Sequence, residues 1–197
     1  MSGKFYIEVA CNQRNFGNER ICGDVFLSRK VKEENRTIVV LSDGMGHGVK
    51  ANVLATLTAT MAVNFTIEHK AVEKIADIIM NTLPVCSERH MSYSTFTIVD
   101  IEHNGLTTIL EYDNPQTMII RDNKEFDPGW QSLVLQSEKN EGKEILSCQF
   151  QPRKEDRIIF GSDGIAQSGL GTDKYPLGWG RDHMLDYSLK LIKNTPK

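Results

Sequence analysis

The sequence predicts an α+β protein in which helices cover antiparallel sheets. Three observations carry this reading. Apolar residues alternate with a period of two near the start of the chain and again through its second half. Between these stretches, two segments repeat their apolar residues every three or four positions. Many of the strand-like runs are joined by links too short for a parallel crossover, which needs a dozen or more residues.

Residues 5–10 and 21–28 read as strands joined by the polar turn Asn12 to Asn18, and residues 37–41 as a third strand. From Val49 to about Ile67, Val53, Leu54, Leu57, Met61 and Phe65 recur at helical spacing with alanines between, predicting a helix buried along that stripe. A second helix is expected from Ala71 to Leu83, with Val72, Ile75, Ile78 and Ile79 on one face and Pro84 as its stop. Strands are then expected at 93–102, 106–112, 116–121, 131–136, 145–150 and 157–162. Turn-forming groups such as His103-Asn104-Gly105, Asp113-Asn114-Pro115, Asp127-Pro128-Gly129 and Glu141-Gly142 separate them. A last helix is expected from Arg181 to Lys193.

A length of 197 residues suits one well-buried domain and is short for two, so residues 1–197 read as a single domain. Hydrophobic residues at 40% and charged residues at 25% match a chain that folds on its own. The net charge of −3 provides no cationic field for nucleic acid or an anionic membrane. No apolar run approaches the roughly 20 residues of a membrane span, and no signal-like core follows Met1. Cys11, Cys22, Cys86 and Cys148 form no Cys-x-x-Cys, which disfavours a zinc site or a disulfide framework and fits reduced thiols in cytoplasm.

The most informative pattern is a repeated acidic turn. Thr37 to Leu41 runs into Ser42-Asp43-Gly44, and Arg157 to Phe160 runs into Gly161-Ser162-Asp163-Gly164. Each aspartate is placed at a strand end, and the glycine after it permits a sharp turn that exposes a backbone carbonyl. Carboxylates and carbonyls converging from distant strands suit a hard cation such as Mg²⁺ or Mn²⁺. Asp-Gly after a strand is also an ordinary turn. The first turn continues through Met45-Gly46-His47-Gly48 into the long helix, without the Lys-Ser/Thr of a nucleotide P-loop. A further acidic turn, Cys22-Gly23-Asp24, precedes the strand-like Val25-Phe26-Leu27.

Together, Gly23-Asp24, Ser42-Asp43-Gly44-Met45-Gly46-His47-Gly48 and Gly161-Ser162-Asp163-Gly164 resemble the PPM-type metal-dependent Ser/Thr protein phosphatases, in their bacterial sporulation-stage-II-E-like branch. Tyr93-Ser94-Thr95-Phe96-Thr97 and Glu111-Tyr112-Asp113-Asn114-Pro115 extend the likeness. The resemblance implies an antiparallel β-sandwich flanked by helices on both faces, with two Mn²⁺ or Mg²⁺ ions at one end of the sheets. By that analogy Asp43 bridges the ions, the Gly44 carbonyl binds one, Asp163 binds the other, and Asp24 acts largely through metal-bound water. The implied reaction is hydrolysis of phosphoserine or phosphothreonine by a metal-activated water. The implied partner is a phosphorylated bacterial signalling protein, such as an anti-anti-sigma-factor-like domain.

The sequence departs from the family pattern in two places. The wider family often has a histidine directly after Asp-Gly; Met45 stands there, which leaves His47 as the nearest imidazole for the role of general acid. The closing Asp-Asp or Asp-Asn pair with its strand has no counterpart before Lys197. Either the chain is truncated at its C-terminus or its second metal is weakly held. A missing strand would leave a sheet edge open to homodimer formation. The alternative function is a weakly active or inactive regulatory domain that binds a phosphoprotein. Arg14 and Arg20 flank the turn before Asp24, and Arg20 is a candidate for substrate phosphate. The glycine-rich segment from Ser168 to Gly180 is a candidate flap.

Overall fold

A computed structural model describes residues 6–83, 94–135 and 143–194. Tyr93, Cys86, His90, the Pro84 stop, the Glu141-Gly142 turn and the chain end lie outside these residues. The structure is α+β, with antiparallel sheets and helices as expected. It forms two compact units, residues 1–113 with 129–151 and residues 114–128 with 152–197.

The first unit is built on a six-stranded sheet. Its strands are β1 (Val25–Val31), β2 (Arg36–Ser42), β3 (Phe96–Ile101), β4 (Thr107–Tyr112), β7 (Gln131–Val134) and β8 (Glu144–Phe150). They are ordered β1-β2-β3-β4-β8-β7, with every neighbouring pair antiparallel. Strand β2 is buried at every position, which explains why Thr37 to Leu41 reads as a continuous apolar run rather than an alternating one.

Helices α1 (Gly48–Ile67) and α2 (Val72–Thr82) pack on one face of this sheet. The core joins Ile38 and Val40 of β2, Phe96 and Ile98 of β3, and Leu110 and Tyr112 of β4 to Ala59, Ala62 and Val63 of α1 and to Ile75, Ile79 and Met80 of α2. The period of two on the strands and of three to four on α2 meets in that contact.

Two sequence expectations are corrected here. Residues 6–10 form no strand, and Tyr6 is 90% exposed. An alternating pattern makes a strand only where a partner supplies ladder hydrogen bonds, and none pairs with this segment among the described residues. The second correction concerns α1. Its buried line is Ala51, Ala55, Thr58, Ala59, Ala62, Val63 and Thr66, whereas Val49, Val53 and Leu57 are 61%, 59% and 44% exposed. Met61 and Phe65 are partly buried against the core. Small side chains at a helix contact shorten the distance between packed elements, so the alanines between the larger residues form the seam.

Arg36 locks the far end of this unit. Its guanidinium donates to both carboxylate oxygens of Asp100, at 2.7 and 2.6 Å, and to the Thr66 carbonyl at 2.8 Å. The last-turn carbonyl of α1 thereby gains a cationic partner at the negative end of the helix. Hydrogen bonding to Asp100 is the main cause that holds the Arg36 pKa above its ordinary value.

The second unit contains a three-stranded antiparallel sheet ordered β6-β5-β9, from β5 (Met118–Arg121), β6 (Lys124–Glu125) and β9 (Arg157–Ile159). Helices α3 (Asp163–Ala166) and α4 (Gly180–Asn194) follow. Arg121 donates to Asp156 from two nitrogens, Nε at 3.1 Å and Nη2 at 2.6 Å, while the Phe126 ring centroid lies 3.8 Å from the guanidinium carbon. This pair fixes the turn that feeds β9. Arg181 of α4 donates to the Gln116 carbonyl at 2.9 Å and to the Glu125 carboxylate. Elements β6 and α3, of two and four residues, are too short to leave a periodic signal and were not expected from sequence.

Candidate functional site

In the antiparallel pairing of β1 with β2, Val25 stands opposite Ser42. Asp24, one residue before β1, and Asp43, one residue after β2, therefore leave the same end of the hairpin side by side. Both are half-buried. The Asp24 carbonyl accepts a hydrogen bond from Gln13 Nε2 at 3.1 Å.

The Asp43 turn is fastened by two buried serines. Ser42 Oγ and Ser94 Oγ are 2.6 Å apart; Ser42 donates to the Thr95 carbonyl at 2.7 Å, and Ser94 Oγ lies 2.9 Å from the Asp43 carbonyl. The Thr95 amide donates to that same carbonyl at 2.9 Å. Gly44 adds an antiparallel bridge to Ser94. A Cβ on Gly44 would lie 2.0 Å from the Ala51 carbonyl oxygen, so only glycine lets the turn press against the backbone of α1. A Cβ on Gly23 would meet Ala51 Cβ at 3.2 Å and the Gly46 carbonyl at 3.5 Å, which brings the Asp24 turn against the same first turns of α1.

His47 precedes α1 in extended backbone and caps no amide with its side chain. Its Nδ1 lies 2.9 Å from Glu19 Oε1, and its ring stacks on Phe16 with centroids 4.9 Å apart and planes inclined by 20°. Asn52 Nδ2 donates to the Cys22 carbonyl at 2.9 Å, so α1 also holds the segment that carries Asp24. Arg20 is exposed and forms no ion pair among the described residues.

Asp163 lies in the second unit. It opens α3 four residues after β9 ends, is exposed, and accepts a hydrogen bond from Gln167 Nε2 at 2.7 Å. The preceding Ser162 is buried. The glycine-rich segment after α3 is a chain of tight turns, in which the amides of Leu170, Thr172, Tyr175 and Gly178 each bond to the carbonyl three residues earlier.

The first unit thus gathers two carboxylates and the carbonyls of a glycine turn at one hairpin end. Among the described residues, no three His, Cys, Asp or Glu side chains come together in a metal-holding group. Two carboxylates with backbone oxygens fit the hard cation Mg²⁺, which uses one or two carboxylates and keeps several waters. Sequence reading found Asp24, Asp43, Gly44 and His47 but not Glu19 or Phe16, because their contact with His47 is non-local and leaves no spacing pattern. Ser94 sat within a noticed motif, but nothing in its sequence marks it as the partner of Ser42.

The family model for stage II sporulation protein E (SpoIIE) matches residues 33–184. No curated protein matches the chain. Among solved structures, RsbX in complex with magnesium superposes with a TM-score of 0.59 at 18% identity, covering 93% of this chain and 86% of that one. The SpoIIE phosphatase domain from Bacillus subtilis gives a TM-score of 0.59 at 19% identity, covering 92% of this chain and 73% of that one. A structure described under the bacterial stressosome gives 0.61 at 16% identity, covering 91% and 88%. At these identities the likeness is one of fold. The family match places the chain in the SpoIIE family, and these structures share its fold.

Proposed function

We propose that the chain is a metal-dependent phosphatase of phosphoserine and phosphothreonine in a protein substrate. The observation that carries this reading is the register that sets Asp24 beside Asp43, with Gly44 locked against α1. In this reading Asp24, Asp43 and the Gly44 carbonyl of the first unit would hold a divalent Mn²⁺ or Mg²⁺ ion. When bound, such ions lower the pKa of water and neutralise charge on the phosphoryl oxygens. The chain's own part is placement. Ser42 and Ser94 hold the Asp43 turn still, and the α1 backbone sets the direction of the Gly44 carbonyl. Asp43 and Asp24 supply fixed negative charge that needs no reorganisation during the reaction. His47 is the proton donor, and Arg20, exposed beside the Asp24 turn, is free to meet a substrate phosphate.

The magnesium of the RsbX structure supports a divalent ion, and the structure described under the bacterial stressosome supports a setting in bacterial signalling, with a phosphorylated signalling protein as the substrate we propose. An anti-anti-sigma-factor-like domain is the substrate class we favour. Among the described residues no helix is long and apolar enough to cross a membrane. Cys11, Cys22 and Cys148 are free thiols, which supports a cytoplasmic setting.

The test is phosphate release from a phosphoserine peptide and from p-nitrophenyl phosphate across a Mn²⁺ titration. Metal-dependent release from the peptide supports the reading. Release from p-nitrophenyl phosphate alone would point instead to a phosphoesterase of small substrates.

A further inference from the structure

We infer that Glu19 is a positioning residue that orients His47 to deliver a proton to the departing serine or threonine oxygen. The inference rests on the phosphatase reading and adds to it a residue from a segment outside the Asp-Gly turns. The imidazole is held on two sides, with Nδ1 2.9 Å from Glu19 Oε1 and the ring plane stacked on Phe16. The stack fixes the plane, and the carboxylate fixes the rotation within it. A carboxylate only accepts, so Nδ1 carries its hydrogen toward Glu19, and Nε2 is left to exchange a proton with a ligand. Among the described residues Nε2 has no hydrogen-bond partner. His47 stands three residues beyond Gly44 on the same turn, and the Glu19 carboxylate lies 3.0 Å from where a Cβ on Gly48 would be.

The pair does more than fasten the loop. Gln13 already ties the N-terminal segment to the Asp24 carbonyl, and Asn52 ties it to the Cys22 carbonyl, both without His47. The bond between phosphorus and the side-chain oxygen breaks, and its electron pair stays on that oxygen. The proton on Nε2 of the imidazolium moves to the same oxygen, giving the free hydroxyl and neutral imidazole. Water oxygen forms the new bond to phosphorus and releases a proton, which restores the imidazolium.

Glu19→Gln, His47→Gln and the double variant of this chain, each with Mn²⁺, are assayed on a phosphoserine peptide and on p-nitrophenyl phosphate. The nitrophenolate leaves without protonation, whereas an alkoxide does not. The loss of kcat in Glu19→Gln is expected to be at least about tenfold greater on the peptide than on p-nitrophenyl phosphate. The double variant should be no worse than His47→Gln, since the two residues act as one unit. Nitrogen-15 NMR of the metal-free protein should show the Nδ1–H form of His47 in the unmodified chain and its loss in Glu19→Gln. Equal losses on both substrates, or an unchanged His47 spectrum, would overturn the role of Glu19 while leaving the phosphatase reading intact. An unmodified chain that hydrolyses neither substrate would overturn both.

Discussion

Ser94 holds the Asp43 turn in place: its Oγ lies 2.9 Å from the Asp43 carbonyl oxygen and 2.6 Å from Ser42 Oγ. Two hydroxyl protons serve this group, and the Thr95 carbonyl and amide complete it. Ser94→Ala strips Ser42 and Asp43 of a buried partner, at a cost of about 1–3 kcal/mol. Urea denaturation should show that loss as a lower midpoint with an unchanged slope. The apparent Mn²⁺ affinity should fall in the same variant.

The two glycines of this turn should respond differently to a methyl group. Gly44→Ala drives a Cβ to 2.0 Å from the Ala51 carbonyl oxygen, so the turn and α1 cannot both keep their places. A loss of about 3 kcal/mol is expected, with loss of metal-dependent turnover. Gly46 has φ of +93° and nothing within 4 Å of its added Cβ, so Gly46→Ala costs only conformational strain of about 1–2 kcal/mol. Thermal melts of both variants check the order.

Helix α1 offers a test of which face is buried. Val53→Glu, on the exposed face, should change stability by no more than about 0.5 kcal/mol. Ala55→Leu, at a fully buried position, should cost about 1–3 kcal/mol through overpacking. A large loss in Val53→Glu with none in Ala55→Leu would reverse the assignment.

That reversal is what hydropathy alone would have expected. The larger residues of α1 stand out in the sequence, yet alanine lets the helix approach the sheet, and Val53 and Leu57 stay outside. The Asp43 turn was legible because Asp-Gly after an apolar run fixes a strand end locally, and the antiparallel register then sets Asp24 beside Asp43; at the second turn the same pattern overran the strand, since β9 ends at Ile159 and Asp163 opens α3. The strands at 107–112 and 144–150 were legible from alternation and short links. The Ser42–Ser94 and Glu19–His47 pairs were not, because 52 and 28 residues separate the partners and the contact exists only after folding. Residues 6–10 show the converse: a strand pattern without a partner strand remains irregular.

Arg36 and its carboxylates give a stability and a pH prediction. Asp100→Ala leaves a buried guanidinium without its main partner and should cost about 3 kcal/mol. Glu34 is held below its ordinary carboxyl value of 4.5, first by the hydrogen bond from His69 and also by Arg36. A carboxyl depressed in the folded state stabilises the protein above 4.5, and that contribution is lost as pH falls through the lower folded value. Denaturation midpoints measured on descending pH should therefore fall less steeply in Glu34→Gln than in the unmodified chain.

The hairpin end carrying Asp43 is the proposed metal-dependent phosphatase site. Its most direct test is p-nitrophenyl phosphate turnover across a Mn²⁺ titration, in the unmodified chain and in Asp43→Asn side by side. Turnover is expected to be saturable and Mn²⁺-dependent, and Asp43→Asn should abolish it while the variant keeps its fold by circular dichroism. Turnover that ignores Mn²⁺ or survives Asp43→Asn, or its absence from the unmodified chain at every Mn²⁺ concentration, would contradict it.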